Sequence, residues 1–232
     1  MTERRYGPTE LVMAHQGELP EDFVHRRRMA AAMQQLSERL VRAEASTDDL
    51  AAWADHLEQL VQKVGKPVQR DARQANRRMF AGEASLGDIF DMMDFDPIGG
   101  LSNPVAPQMR WTRDEPEGIA GEVTLGVHYQ GPPGRVHGGV LAWIMDAALS
   151  RAMHAAQKLG VTGTLTLRYL APTPVDQSLH CTAHIRDIQG RKLFIEGALY
   201  NGDEQTLHAE GIFFQPKSLA TASHRQKESD RE

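Results

Sequence analysis

The chain is poor in the residues that cross-link or anchor a protein. One cysteine, Cys181, stands among 232 residues, which excludes an intrachain disulfide and a zinc site built from thiolates. No run of about 18 uncharged apolar residues is present, and the N-terminal stretch MTERRYGPTELVMAH has no apolar centre of the kind that secretion signals need. We therefore expect no membrane span and, as the default, a cytoplasmic location.

Positive charge is also in short supply. Lys and Arg number 26 against 31 Asp and Glu, which gives a formal net charge of −5. Binding to the phosphate backbone of nucleic acids needs an excess of positive charge, so we expect no nucleic-acid partner. The hydrophobic share of 41% is nevertheless enough for a substantial core.

Residues 20–64 have the periodicity of two helices. Ser46 or Thr47, followed by acidic residues, predicts an N-terminal cap between them, and Gly65 with Pro67 predicts the end of the second helix. Two such helices form a hairpin but not a domain, so we expect their apolar stripes to pack on this or a neighbouring folded unit. The stripes are Met29, Met33, Leu36 and Leu40, and then Leu50, Trp53, Leu57, Leu60 and Val64.

Residues 66–104 are predicted to be a connector, with a short helix near RDARQANRRMF and the turn-rich DPIGGLSNPVAP. Asp91, Asp94 and Asp96 lack the spacing of a calcium loop and predict a solvated loop instead. The predicted organisation is a helical extension in 1–65, a linker in 66–104, a folded domain in 105–217 and a disordered tail in 218–232.

After residue 107 the pattern changes to strands around one helix. GIAGEVTLGVH alternates as a strand does, and four more strand-like runs follow the helix: GTLTLRYL, LHCTAHIRDI, KLFIEGALY and TLHAEGIFF. QGR and NGDE predict hairpin turns between the last three. These elements predict an α+β fold in which a four-stranded antiparallel meander follows the helix.

The predicted helix from Gly139 to Ala156 is apolar around nearly its whole circumference, which indicates that the sheet wraps it. It carries one acid, Asp146, and burying an unpaired carboxylate costs several kcal/mol. A functional role would explain that cost. The alternatives are that Asp146 lies at an exposed edge of the helix or pairs with Arg151 or Arg168.

The start of this helix suits a ligand that carries developing negative charge. GPPG predicts a rigid bend, and Gly138 with Gly139 would let a ligand approach backbone N–H groups at the positive end of the helix. A simple turn is the alternative for the two glycines. For His137 we expect a hydrogen bond that orients the turn rather than a role as general base.

The stretch VHGGVLAWIMDAA resembles the His-Gly-Gly, six residues, Asp signature of hotdog-fold acyl-CoA thioesterases of the phenylacetic-acid-pathway type and related members of the thioesterase superfamily. The resemblance runs from about Asn103 to Gln215, because SNPVAPQ, YQGPPGRVHGG, TLRYLAPTPVDQSL and GRKLFIEGAL resemble segments of these enzymes in the same order.

The resemblance implies a hotdog fold, an antiparallel sheet wrapped around a central helix. It also implies that Asp146 activates water or attacks the thioester, that the N–H of Gly138 polarises the carbonyl, and that His137 and Gly139 shape the turn. Thr162 stands where related enzymes place a hydroxyl that holds the water, although simple strand propensity would also explain it.

One position departs from some bacterial members of the family. They carry Asn six residues before the His, whereas this chain has Gly131, which puts polar assistance at that point in doubt. Arg191 and Lys192 are implied to meet the phosphates of coenzyme A, with routine surface charge as the equal alternative.

No metal or redox cofactor is implied, since coenzyme A enters as part of the substrate. His180 and His184 share a strand face without a third ligand, and His128, His154 and His208 fit no ligand spacing.

The function predicted is therefore hydrolysis of an acyl-CoA thioester by a two-fold dimer or a dimer of dimers with composite active sites. A non-catalytic acyl-CoA-binding adaptor and an acyl-CoA hydratase or dehydratase are the alternatives.

Overall fold

Five α-helices and six β-strands form the part of the chain that the computed structural model describes, residues 19–66, 72–81 and 83–216. The helices are α1 (Glu21–Arg42), α2 (Thr47–Val64), α3 (Ala72–Phe80), α4 (Leu86–Met93) and α5 (Gly138–Ala155). The strands are β1 (Arg110–Glu115), β2 (Gly118–Thr124), β3 (Val161–Tyr169), β4 (Ser178–Gln189), β5 (Lys192–Asn201) and β6 (Glu204–Phe214). No helix within the described ranges has the length and apolar character needed to cross a bilayer.

The six strands form one antiparallel sheet in the order β1-β2-β4-β5-β6-β3, and α5 packs across one face of it. This confirms the α+β class. The central helix begins one residue before its predicted start because His137 supplies the N-cap. The predicted hairpin turns are confirmed at Gly190 and Gly202, whose φ angles of 59° and 58° are in the left-handed region.

The predicted four-stranded meander is wrong. Only β4, β5 and β6 form a meander, and β3 pairs with β6 at the far edge of the sheet. The connection from β3 to β4 contains Pro172 and Pro174 and no tight turn, so the two strands that are consecutive in the sequence do not form a hairpin.

The first strand of the sheet, β1, was not predicted, because its sequence RWTRDE has no apolar alternation. It pairs with β2 at the opposite edge of the sheet from β3. Arg151 of α5 binds Asp114 of β1 through Nε at 3.1 Å and lies 5.7 Å from the ring centroid of Trp111. These contacts tie the polar edge strand to the central helix.

The core lies between α5 and the sheet, but α5 is covered on one side only. Trp143 is 43% exposed, so the sheet that wraps the helix, as predicted, leaves this side of the helix uncovered. A single sheet of antiparallel strands can cover one face of a helix. The helix residues that are buried against it are Leu141, Ile144, Met145, Ala148, Leu149, Ala152, Met153 and Ala155.

The two helices predicted for the hairpin are confirmed as α1 and α2, but they are attached very differently. Ser46 caps α2 by accepting the N–H of Asp49 at 3.1 Å, and Gly65 ends it with φ 64°. One face of α1 packs on the folded unit through Phe23 and Ala30, whereas α2 has no buried residue.

The predicted connector contains a second helix, α4, that was missed. Ser85 and Asp88 form a capping box at its start, a signature that the sequence SLGD carries. Met79, Ala84 and Ile89 cluster with Leu159. The connector residues described here therefore pack on the folded unit.

The prediction that Asp94 lies in a solvated loop is wrong, because Asp94 is fully buried. Its carboxylate accepts from Nε of Arg27 on α1 at 3.0 Å and from the hydroxyl of Ser102. Asp96 is exposed and accepts the N–H groups of Ile98 and Gly99 at 2.8 and 3.0 Å. The predicted roles of Pro67 and of the tail after residue 217 lie outside the described residues.

Candidate active site

The first turn of α5 leaves one backbone donor available. The N–H of Gly139 donates to Nδ1 of His137 at 3.0 Å, and the carbonyl of His137 accepts from Val140 and Leu141 at 2.9 and 3.1 Å. Within the described residues no acceptor pairs with the N–H of Gly138. The positive end of the helix and hydrogen bonds to the adjoining carbonyl both strengthen this donor.

Tyr169, which the sequence analysis missed, lies beside this donor. Its hydroxyl donates to the carbonyl of Gly138 at 2.9 Å, and its side chain is 54% exposed at the end of β3. A side chain at position 138 would start in contact with that hydroxyl, 3.4 Å away. Nothing in the sequence signalled this role beyond a tyrosine near the end of the strand-like run GTLTLRYL.

The loop before the helix is held by backbone hydrogen bonds. His137 N–H donates to the carbonyl of Tyr129 at 2.9 Å, and Val136 N–H donates to that of Thr173 at 2.9 Å. A Cβ atom at Gly131 would lie 3.0 Å from Cα of His137. A side chain at 131 would therefore need its neighbours to shift by a few tenths of an ångström.

Asp146 is half-buried in the middle of α5, and its carboxylate accepts the hydroxyl of Thr162 at 3.0 Å. Burial raises the pKa of Asp146 above its usual value, the Thr162 hydrogen bond opposes this, and the negative charge of Asp96 adds to it. The structure therefore brings Thr162 to the carboxylate and places Asp96 within electrostatic reach.

The ion-pair alternative for Asp146 is wrong. Arg151 binds Asp114, and Arg168 lies 3.9 Å from Glu210. Among the described residues no cationic side chain pairs with Asp146, so none of these side chains balances its charge.

Gly138 and Asp146 lie far apart within one chain. They are eight residues apart on the same helix, which corresponds to about 12 Å along the axis. A thioester carbonyl needs its polarising donor and its attacking oxygen within roughly 3 Å. The two groups therefore cannot act on one carbonyl from the same chain.

Arg191 and Lys192 lie at the same end of the sheet as Thr162. Lys192 pairs with Phe214, which in turn pairs with Val161 at the start of β3. Nε of Arg191 donates to the carbonyl of Gln215 at 2.8 Å. The structure thus brings Asp146, Thr162 and the basic pair to one end of β3, and His137, Gly138 and Gly139 to the other.

The histidines that were considered as metal ligands have other partners. His180 stacks on Tyr200 with ring centroids 4.7 Å apart, and Nε2 of His184 lies 3.1 Å from Glu196. Nδ1 of His128 lies 2.6 Å from Glu38, and burial lowers the pKa of His154 to about 4.

His208, for which the sequence showed no ligand spacing, lies close to two carboxylates on the outer face of the sheet. The ligating atoms of Glu196, His208 and Glu210 lie within 4.8 Å of one another. Arg186 lies 3.2 Å from Glu210 and 3.7 Å from Glu196. This guanidinium already balances the two carboxylates, so we assign no metal to the cluster.

Comparison with known proteins adds a family model and several relatives. Residues 133–208 match the model of the thioesterase superfamily. Acyl-coenzyme A thioesterase THEM4 of Rattus norvegicus is 34% identical over 85 residues, which cover 37% of this chain and 36% of the relative. Acyl-coenzyme A thioesterase THEM5 of Homo sapiens is 33% identical over 92 residues, 39% of this chain and 37% of the relative. The chain thus spans little more than a third of the length of these curated relatives.

A solved structure is similar over a much larger part of the chain. The crystal structure of a thioesterase superfamily protein has 29% sequence identity and a TM-score of 0.68, and covers 81% of this chain and 94% of its own. The predicted folded domain, 105–217, is about half of the chain, so the match extends into the N-terminal helices. The hotdog fold that the resemblance implied is confirmed.

Proposed function

We propose that this protein hydrolyses acyl-coenzyme A thioesters to a free acid and coenzyme A, because residues 133–208 match the model of the thioesterase superfamily and the chain has a hotdog fold. The observation that carries the proposal is the carboxylate of Asp146. It is half-buried on the central helix, is held by Thr162 and has a raised pKa. A carboxylate in such a setting is suited to accepting a proton from water near neutral pH.

In the proposed reaction, Asp146 takes a proton from a water molecule whose oxygen attacks the thioester carbonyl. The N–H of Gly138 stabilises the oxyanion, the carbon–sulfur bond breaks, and the proton leaves with the coenzyme A thiolate. Direct attack by Asp146, followed by hydrolysis of the mixed anhydride, is the variant of the same scheme. Carboxylate, water and backbone N–H suffice for either route, so we propose no further cofactor.

The distance along α5 requires that the two groups come from different chains. We propose a two-fold dimer in which the central helices lie antiparallel, so that Gly138 of one chain lies beside Asp146 of its partner. The sides that would meet are the uncovered face of α5 at Trp143 and the edge strand β3, where Val161 and Tyr169 are 58% and 54% exposed. Each site would then be composite.

The basic pair fits the coenzyme A part of this site. Arg191 and Lys192 lie at the end of β3 that carries Thr162, so in the dimer they belong to the same half-site as Asp146. The phosphates of coenzyme A are anionic and are suited to guanidinium and ammonium groups. His137 and Gly139 shape the opposite half-site.

The first prediction is that Asp146→Asn lowers thioester hydrolysis at least about 100-fold while the protein stays folded, since it keeps the shape of the side chain and removes the base. Thiol release from a panel of acyl-coenzyme A compounds measures the rate, and thermal unfolding measures the fold. Asp203→Asn, in the exposed turn between β5 and β6, is the matched control and should retain full activity.

Two results would contradict this proposal. An Asp146→Asn rate above about a tenth of the unmodified rate would exclude a base at that position. Absence of thiol release from every compound, with tight binding retained, would instead favour a non-catalytic binding protein.

A further inference from the structure

The second helix of the hairpin carries an apolar seam with coiled-coil spacing, and the described residues leave this seam partly exposed. Leu50, Trp53, Leu57, Leu60 and Val64 alternate in steps of three and four residues, the spacing at which helices pair. All five are 37% to 64% exposed, and α2 has no buried residue. Most of the stability of a helix in a protein comes from packing of its apolar face, and a partner surface would supply that packing for α2.

The first helix continues the same apolar surface. Leu36 and Leu40 of α1 face Trp53 and Leu57 of α2 across an apolar groove of about 330 Å³. Met29 and Met33 extend the α1 stripe beyond the groove and are 60% and 52% exposed. The uncovered surface is therefore a strip along both helices, longer than the groove itself.

The strip is held in a defined position because α1 is fastened to the folded unit along its other face. Arg27 binds the buried Asp94, Nε2 of Gln34 donates to the carbonyl of Ala106 at 2.6 Å, and Glu38 binds His128. These contacts leave the opposite side of the hairpin turned away from the sheet.

The size of the strip matches one side of a stable protein interface. Ten large apolar side chains, each 37% to 70% exposed, amount to on the order of 800 Å² per chain, which is the usual contribution of one partner. They are Met29, Met33, Leu36, Leu40, Leu50, Trp53, Leu57, Leu60, Val61 and Val64.

We propose that this strip binds the same strip of a second copy of the chain, with the two α2 helices antiparallel and the two-fold axis at Leu57. Leu50 and Val64 lie seven residues to either side of Leu57, and Trp53 and Val61 lie four residues to either side, so antiparallel pairing centred there brings apolar residues together. A two-fold interface requires such self-complementarity. The two hairpins then form a four-helix bundle.

The charges along α2 favour the antiparallel direction. Asp48 and Asp49 lie in its first turn, and Lys63 and Lys66 lie at its end. Antiparallel pairing places each acidic end beside the basic end of the other copy. Parallel pairing would place like charges together, which is unfavourable.

Single cysteines introduced along the seam test the contact, because the native Cys181 is fully buried. Leu57→Cys should give a disulfide-linked dimer on mild oxidation, since a disulfide needs Cα atoms within about 7 Å. Gln59→Cys, on the outer side of the same helix, is the matched control and should cross-link at least about tenfold more slowly. Equal rates for the two variants would overturn the proposal.

The same approach tests the direction. In an antiparallel pair the two copies of Leu50 lie about 20 Å apart, so Leu50→Cys alone should not cross-link. Leu50→Cys coexpressed with Val64→Cys on a copy of different size should give the mixed dimer. A Leu50→Cys homodimer without the mixed product would overturn the antiparallel arrangement.

A second substitution in the Leu57→Cys chain tests whether the apolar seam holds the pair. Leu60→Glu should slow the cross-link at least about tenfold, because it places charge in the seam. Because α2 has no buried residue, the hotdog domain should keep its thermal transition. An unchanged rate would show that the seam faces something other than a second copy.

Discussion

At the scale of residues, two neighbours of Asp146 act on its carboxyl in opposite directions. The Thr162 hydroxyl donates a hydrogen bond that stabilises the charged form and lowers the pKa, while the negative charge of Asp96 destabilises that form and raises it. Both side chains can be changed with little loss of shape. Asn at position 96 keeps an acceptor for the N–H groups of Ile98 and Gly99.

The second prediction follows from these signs. The base must be ionised, so activity falls as the pH drops through the pKa of Asp146. Asp96→Asn removes a negative charge, lowers that pKa and should move the acidic limb of the pH–rate profile to lower pH. Thr162→Val removes the stabilising hydrogen bond and should move it to higher pH. Profiles of kcat/KM measure both shifts, and shifts in the same direction would exclude this account.

The sequence located some of these residues and could not locate others. His137, Gly138, Gly139 and Asp146 lie on one helix, so their spacing alone predicted where they stand. Tyr169 and Asp96 reach the site from distant parts of the chain. Their positions depend on tertiary packing, which local periodicity in the sequence does not predict.

At the scale of elements, a part-buried charge pair is one of the contacts that hold α1 on the folded unit. Arg27 is a quarter exposed and binds Asp94, whose side chain is fully buried. Breaking such a pair from one side leaves an uncompensated charge in the interior, which costs about 3–5 kcal/mol.

The third prediction is that Arg27→Met lowers the free energy of unfolding by about 3–5 kcal/mol, measured by urea denaturation. Adding Asp94→Asn should recover part of the loss, because Ser102 can still donate to the amide oxygen. Arg110→Met removes an exposed pair with Glu122 and should cost less than about 1 kcal/mol. Equal costs for the two arginines would show that the pair does not hold α1.

Elements with strong local signals were predicted well, and those without were not. The Gly-Gly start and the apolar run predicted the bounds of α5 to within one residue. Gly190 and Gly202 correctly predicted the two hairpin turns. The polar strand β1 was missed, because an edge strand needs no apolar face. The pairing of β3 with β6 was also missed, since strand order arises from long-range packing.

At the scale of the whole molecule, the active site that we propose depends on assembly. Gly138 and Asp146 are eight residues apart on one helix, so the proposed mechanism needs a second chain to bring such groups together. The proposed composite site would make catalysis a property of the dimer rather than of the chain.

The fourth prediction tests this by complementation. Asp146→Ala and Gly138→Leu, each inactive alone, should form mixed dimers with one intact and one doubly damaged site. Random mixing makes half of the dimers mixed, so up to about a quarter of the unmodified activity should return on co-refolding. Each variant refolded alone is the control. If dimers that are verified as mixed have no activity, Asp146 must act in a site formed by its own chain.

The order of the strands also has a consequence for synthesis of the chain. The strand that carries Thr162 is complete at Tyr169, but its neighbour in the sheet, β6, ends about 45 residues later at Phe214. At 5–20 residues per second, a ribosome needs roughly two to nine seconds to make that stretch. During this interval β3 has neither of its edges paired, and the hydroxyl that holds Asp146 acquires its final position only after nearly the whole hotdog domain has been synthesised.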